Sequence, residues 1–176
     1  MRTWVFLLSL LLAGCFPAAV LRSPEPVRGA ELSLGGSLIW VTLPSNYSFL
    51  WALPYLGYAW GDGSTEFNLS VQMGPRFGVK QALAPGLSLD AGLTLARTPV
   101  PSVSGPILDV GLLAGVGELY VSPRVHVWFT DEGYTLGFYQ ATLGYREGGF
   151  SLEGGVLLGG NGLLQLNLSG ALHFGL

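Results

Sequence analysis

Chemistry in this chain has few residues to draw on: two histidines, one cysteine and a thin scatter of acids and bases in 176 residues. His126, Ser122 and Glu118 recur at intervals that place them on one side of a β-strand, since alternate residues share a face. A hydroxyl, an imidazole and a carboxylate within mutual reach are the parts of nucleophilic catalysis. Any long polar face supplies such a trio, however, and this spacing matches no catalytic motif. His126 and His173 stand on different stretches, so they do not form a zinc ligand set with Cys15. The glycine-rich strings GLLAGVG and LLGGNG lack the lysine and the strand-to-helix setting of a phosphate loop. The same polar side carries Glu31, Glu66, Arg76, Lys80, Asp90, Asp109, Glu118, Arg124, His126, Glu153 and His173. Pairing is the chemistry expected of them. In a confined interior an unpartnered charge is costly, so Arg76, Lys80 and Arg124 should meet Asp90, Asp109 and Glu153. No catalytic residue, metal or cofactor is expected.

The elements that must hold these residues announce themselves by a period of two. In LLQLNLSGALHFGL, Leu164, Leu166, Leu168, Leu172, Phe174 and Leu176 oppose Gln165, Asn167, Ser169 and His173. In LSLDAGLTLA, Leu87, Leu89, Ala91, Leu93 and Leu95 oppose Ser88, Asp90, Gly92 and Thr94. ELSLGGSLIW, FNLSVQM, ELYVSPRVHVWF and FSLEGGVLL repeat the pattern. A helix would spread such residues around its cylinder. The spacing predicts about ten strands, near residues 30–40, 49–60, 65–73, 76–84, 87–96, 107–116, 118–129, 134–146, 149–159 and 163–176. Most have the length of a tilted strand that crosses a bilayer. GDGS, APG, GVG and EGG make short turns between them. TLPSNYS, RTPVPSVSGP and TDEG make longer links on the other side. Pro54 and Pro123 fall inside predicted strands, where each forfeits a ladder hydrogen bond. A bulge, a strand break or an opening in the wall is the expected consequence.

Charge decides which face is wet. Charged residues make up 11% of the chain, against about 25% in an ordinary globular protein. The apolar side of the clear strands carries no Asp, Glu, Lys or Arg at all. Its opposite is mostly Gly, Ser, Thr and Asn, too weakly charged for a soluble exterior and small enough for a crowded interior. The apolar side therefore points outward, into hydrocarbon, where a charge near midplane would cost about 2–4 kcal/mol. Lipid also requires every backbone group to be paired, which forces the sheet to close. Trp40, Trp60, Phe129, Tyr134, Tyr145 and Phe150 lie near predicted strand ends, as in interfacial belts. A net charge of −3 with no basic cluster argues against nucleic acid as a partner.

The first residues read as an export signal: Met1-Arg2, an apolar run from Val5 to Leu12, then small residues. The run is too short for a spanning helix. Leu12-Ala13-Gly14-Cys15 resembles the lipobox of bacterial lipoproteins. The resemblance implies cleavage before Cys15 and acylation of that residue, which also accounts for a lone cysteine in an exported chain. Residues 16–29, FPAAVLRSPEPVRG, contain Pro17, Pro24 and Pro26 and read as an extended tether. The expected organisation is a signal segment at 1–14, a tether at 15–29 and a barrel at 30–176.

Residues 30–176 resemble the small outer-membrane β-barrel superfamily, which includes the barrels of OmpA and OmpW-like proteins. The alternating strands, the GDGS-type turns and the terminal strand carry the resemblance; LHFGL departs from the family's usual ending, because Phe174 stands two residues before the last. It implies an all-β, closed, antiparallel up-and-down transmembrane barrel of 8–10 strands behind an N-terminal signal helix, in the bacterial outer membrane. The lipid bilayer and the barrel-assembly and lipoprotein-sorting machineries would be its partners. The expected role is non-enzymatic: structural support, a narrow channel or surface interaction. A lipocalin-like periplasmic lipoprotein with an apolar cavity and a lipid-modifying barrel enzyme are the alternatives.

Overall fold

A computed structural model describes residues 19–42, 48–72, 74–97, 104–130, 133, 135–159 and 162–176. Residues 1–14, read as a signal from the sequence, and Cys15 and Tyr134 lie outside the described residues. Ten strands follow one another in the chain: β1 (Arg28–Thr42), β2 (Ser48–Asp62), β3 (Thr65–Val71), β4 (Pro75–Ala84), β5 (Leu87–Arg97), β6 (Ser104–Val116), β7 (Leu119–Phe129), β8 (Thr135–Glu147), β9 (Phe150–Gly159) and β10 (Leu164–Gly175). Each pairs antiparallel with its sequence neighbours, and β1 also pairs with β10, so the sheet is a closed up-and-down barrel. Leu32 faces Phe174 across that closing seam, and Thr42 faces Leu164 at its other end.

One end of the barrel carries four short turns and both chain termini of the wall. In the first turn the Asp62 carboxylate accepts hydrogen bonds from Ser64 N, Ser64 Oγ and Thr65 N, each 2.8 Å long. Gly63 sits there at φ +90°, a conformation that a side chain would strain. The opposite end, the loop end, carries the remaining connections.

The exterior is dry. Leu34, Leu38, Leu56, Val79, Leu108, Val110, Val121, Val125, Leu143, Leu166 and Leu168 all point outward, exposed. Among the described residues the exposed charged side chains are Glu25, Arg28, Asp62, Glu118 and Glu147, and every one lies at the turn end. An apolar band free of charge is what a bilayer requires of a barrel wall. Tyr58, Trp60 and Phe67 cluster on that wall near the turn end, with successive ring centroids 5.7 Å apart. Trp40 and Phe129 occupy the loop end of the exterior.

Both prolines mark places where the ladder is incomplete. β3 is the shortest strand, with 7 residues, and it pairs with β2 only from Leu56 to Gly61. Pro54 lies just beyond that stretch, where the β3–β4 hairpin has already turned back and the wall is low. Pro123 keeps its β8 partner Ala141, whereas the β6–β7 pairing is interrupted around it between Gly111↔Arg124 and Ala114↔Val121, with the register unchanged. Both rings face outward.

Candidate functional site

The lumen is filled in three layers. Nearest the loop end, Ile39, Val41, Leu53, Ile107, Trp128, Phe138, Leu157 and Leu163 form one buried apolar cluster, with Phe49 packed against it. Trp128 and Phe138 meet at a centroid distance of 6.4 Å. Alternation predicts an interior that is polar from end to end; here the inward positions switch to large apolar side chains. The cluster draws on β1, β2, β6, β7, β8 and β9 and on the last loop, and on none of β3, β4 or β5.

The middle layer is a four-centre ion cluster. Arg76 Nη2 lies 2.9 Å from Asp90 Oδ2 and 2.7 Å from Asp109 Oδ1. Arg124 Nη2 lies 2.6 Å from the same Asp90 oxygen, and its Nη1 donates to Asp109 Oδ1. Two arginines from β4 and β7 thus share two aspartates from β5 and β6. Asn68 Oδ1 accepts from Arg76 Nη1 at 2.8 Å. The arginine planes are possible because the wall opposite them has no side chains: a Cβ at Gly92 would stand 2.4 Å from Arg76 Cζ, and one at Gly111 2.9 Å from Arg124 Nε. Both guanidinium groups are out of water, where a matched and hydrogen-bonded set of partners is what makes burial tolerable. His126 Nε2 is paired with Gln140 Oε1 at 2.8 Å.

The third layer, at the turn end, contains a piece of chain that does not belong to the wall. Residues 19–27, expected as an extended tether, run inside the barrel as an irregular stretch, with Leu21 at φ +49° and a bend at Pro24 and Glu25. Val27 leads into β1 at the turn end, where its carbonyl accepts from Gly63 N at 3.1 Å. Ala19 reaches mid-lumen, with its N–H donating to Gln72 Oε1 at 3.3 Å. Leu21 is 0% exposed and packs with Tyr55 and Ala171. Glu153 accepts from Val20 N at 2.9 Å, Leu21 N at 2.7 Å and Tyr120 Oη at 2.7 Å. Glu66 accepts from Arg22 Nη1 at 2.5 Å and Val27 N at 3.0 Å. Lys80 Nζ lies 2.8 Å from Glu66 Oε2. It also donates to the carbonyls of Ser23 at 2.9 Å and Glu25 at 3.1 Å. Around the rim, Arg146 reaches Glu31 at 2.5 Å, and His173 bridges Ser33 and Ser151 at 2.8 Å each.

Of the residues singled out by sequence, Asp90, Asp109, Arg76 and Arg124 come together. Lys80 sits lower and pairs with Glu66. Glu153 meets no cation directly; main-chain N–H groups and the Tyr120 hydroxyl surround it. Glu118 is exposed in the β6–β7 turn, away from His126, because β7 begins only at Leu119. Ser122 Oγ has no hydrogen-bond partner, so Ser122 and His126 are not joined as a nucleophile and base. Arg22 was hidden from sequence reasoning: a proline-flanked stretch with no periodicity gives no sign that it enters a lumen. Among the described residues no group of three or more His, Cys, Asp and Glu side chains could hold a metal ion.

Between the ion cluster and the inserted segment remains a void of about 20 Å³, bordered by Ala19, Arg22, Arg76, Arg124 and His126. That is room for about one water.

No family model matches the chain, and no curated protein matches it. Among solved structures, the chain is similar to a de novo designed transmembrane β-barrel, at 14% identity and a TM-score of 0.46, over 85% of this chain and 99% of that one. It is also similar to Ail, the attachment invasion locus protein of Yersinia pestis, solved with the heparin analogue sucrose octasulfate. There the identity is 12% and the TM-score 0.41, over 84% of this chain and 100% of Ail. An engineered protein from a study of asymmetric conductivity matches at 11% identity and a TM-score of 0.44, over 84% of this chain and 52% of that one.

Proposed function

We propose that this chain is a bacterial outer-membrane lipoprotein whose barrel is a closed, non-conducting wall, serving envelope structure or surface interaction through its loop end. One observation carries the reading: the charges are arranged inside out. Arg22, Arg76, Lys80 and Arg124 meet Glu66, Asp90 and Asp109 within the lumen, while the outer band is apolar and free of exposed charge. That is the inverse of a soluble β-barrel, which turns its apolar face inward. It also speaks against the lipocalin-like alternative, whose ligand would need an apolar cavity where Arg76 and Arg124 stand. The filled lumen favours a wall over a channel. The unjoined Ser122 and His126 favour a non-enzymatic role over a lipid-modifying one.

Cys15 is the attachment point in this reading, and the barrel-assembly and lipoprotein-sorting machineries are its implied handlers. The experiment is extraction of Cys15→Ser from membranes. The variant should still require detergent and keep heat-modifiable electrophoretic mobility, because the wall itself is embedded. Release into aqueous buffer as a folded monomer would overturn the reading. Mass measurement of the wild-type N-terminus should find an acylated Cys15. Val110, outward on β6 and 50% exposed, gives an independent check: Val110→Arg should lower barrel stability by about 2–4 kcal/mol in a denaturant titration in lipid vesicles.

A further inference from the structure

The inserted segment is held in an unusual manner. It has no place in the ten-strand ladder, and apart from the Val27 carbonyl the bonds that seat it come from buried wall side chains. Those side chains read its backbone. Glu153 takes the N–H groups of Val20 and Leu21, Glu66 that of Val27, and Gln72 that of Ala19. Lys80 takes the carbonyls of Ser23 and Glu25. Two wall glycines lie against the segment: a Cβ at Gly61 would stand 2.7 Å from the Val27 carbonyl oxygen as well as 2.3 Å from the wall's own Thr65 carbonyl, and one at Gly115 2.9 Å from Pro24 Cγ and 2.8 Å from the Leu119 carbonyl. Only one wall carboxylate reads a charged side chain of the segment, through the Arg22–Glu66 pair at 2.5 Å.

We propose that the turn-end half of the lumen is a binding site for a short peptide carrying an arginine, and that residues 19–27 are its resident, exchangeable occupant. Two features make exchange physically reasonable. Release breaks side-chain bonds and one turn contact, and leaves every strand pairing in place. In the emptied seat Lys80 and Glu66 still neutralise each other at 2.8 Å, and Glu153 keeps its hydrogen bond from Tyr120. Water can hydrate what remains. The site does not depend on lipid attachment at Cys15 or on the role of the loop end.

The test uses the full chain in detergent. Arg22→Glu places a carboxylate against Glu66, a buried like-charge contact that should expel the resident. Folding is checked by heat-modifiable mobility. A fluorescent peptide of sequence AVLRSPEPV should then bind the Arg22→Glu barrel at least about tenfold more tightly than the wild type, whose seat is occupied. Adding Glu66→Arg to that variant should restore the resident pair and abolish peptide binding again. In parallel, Leu21→Cys reports occupancy through a membrane-impermeant maleimide, with the labelled site located by mass. The thiol introduced at position 21 should be protected in the otherwise wild-type chain and should react in the Arg22→Glu background. A folded Arg22→Glu barrel whose introduced thiol reacts but which ignores the peptide would overturn the proposal. So would an introduced thiol that stays protected in that background. Label found on Cys15 would instead count against the lipid anchor alone, leaving the peptide site standing.

Discussion

The two ends of the lumen solve one problem by opposite means. At the loop end, the wall's own side chains meet across the axis: Trp128, Phe138, Ile107 and Leu157 pack together in one apolar cluster. At the turn end the inserted stretch of chain lies against Gly61 and Gly115, while the Tyr120 ring fills the room left by Gly144. Apolar packing is non-directional and tolerates a range of shapes. A main chain brought into a lumen is different, because each buried N–H and C=O must find a partner. The wall must therefore supply Glu153, Glu66, Lys80 and Gln72, each in one geometry. The loop end is closed by bulk and the turn end by bonding. Bonding can be specific for a sequence, and can be undone, in a way that bulk cannot.

The largest expected effect lies between the two ends. Asp90→Ala strips both Arg76 and Arg124 of a shared carboxylate and leaves buried positive charge behind. A loss of about 3–5 kcal/mol in denaturant unfolding is expected, with barrel assembly impaired. Should the loss stay under about 1 kcal/mol, water already screens that layer and the lumen is open rather than filled. Next comes Leu157→Ala at the loop end, where a wholly buried side chain leaves a cavity worth about 2–5 kcal/mol. Combined with Leu21→Cys, it should leave the protection of that thiol at the other end unchanged. Coupled changes would break the division into independent ends. The smallest effect belongs to Pro24→Ala, which trims the ring that packs against Gly115 and touches no strand pairing. It should cost under about 1 kcal/mol in global stability, yet increase maleimide labelling of the thiol at position 21, since it loosens the segment and not the ladder. If global stability fell and labelling did not change, the segment would be part of the wall's fold and not a guest in it.

Much of this architecture was legible in the residues. The two-residue rhythm places Leu34, Leu89, Val121 and Leu168 on one side wherever their strands lie, and the predicted strands match the ten observed within a few residues at most ends. Side-chain alternation is a property of the strand itself, so it survives without any knowledge of neighbours. Other features had no such local signature. Ile39 and Val41 continue the inward row of Ser33 and Ser37, and only their height in the closed wall makes apolar neighbours available to them. Pro54 was legible as a defect; that it lies where β3 falls short depends on the register of another strand.

Charge identity and charge partnership divide the same way. That acids and bases would share the inner face followed from alternation and from the cost of placing them in lipid. That Asp90 would serve two arginines, while Glu153 would serve backbone amides, did not. Arg76 and Asp109 are 33 positions apart, and Arg22 and Glu66 are 44 apart, distances set by strand order, shear and closure. The sequence by itself determined that residues from Ala30 onward form strands with one greasy and one polar side. Only the tertiary structure decided that the stretch before them turns back into the lumen, because an aperiodic segment has no face of its own. Its place is chosen by the groups that wait for it.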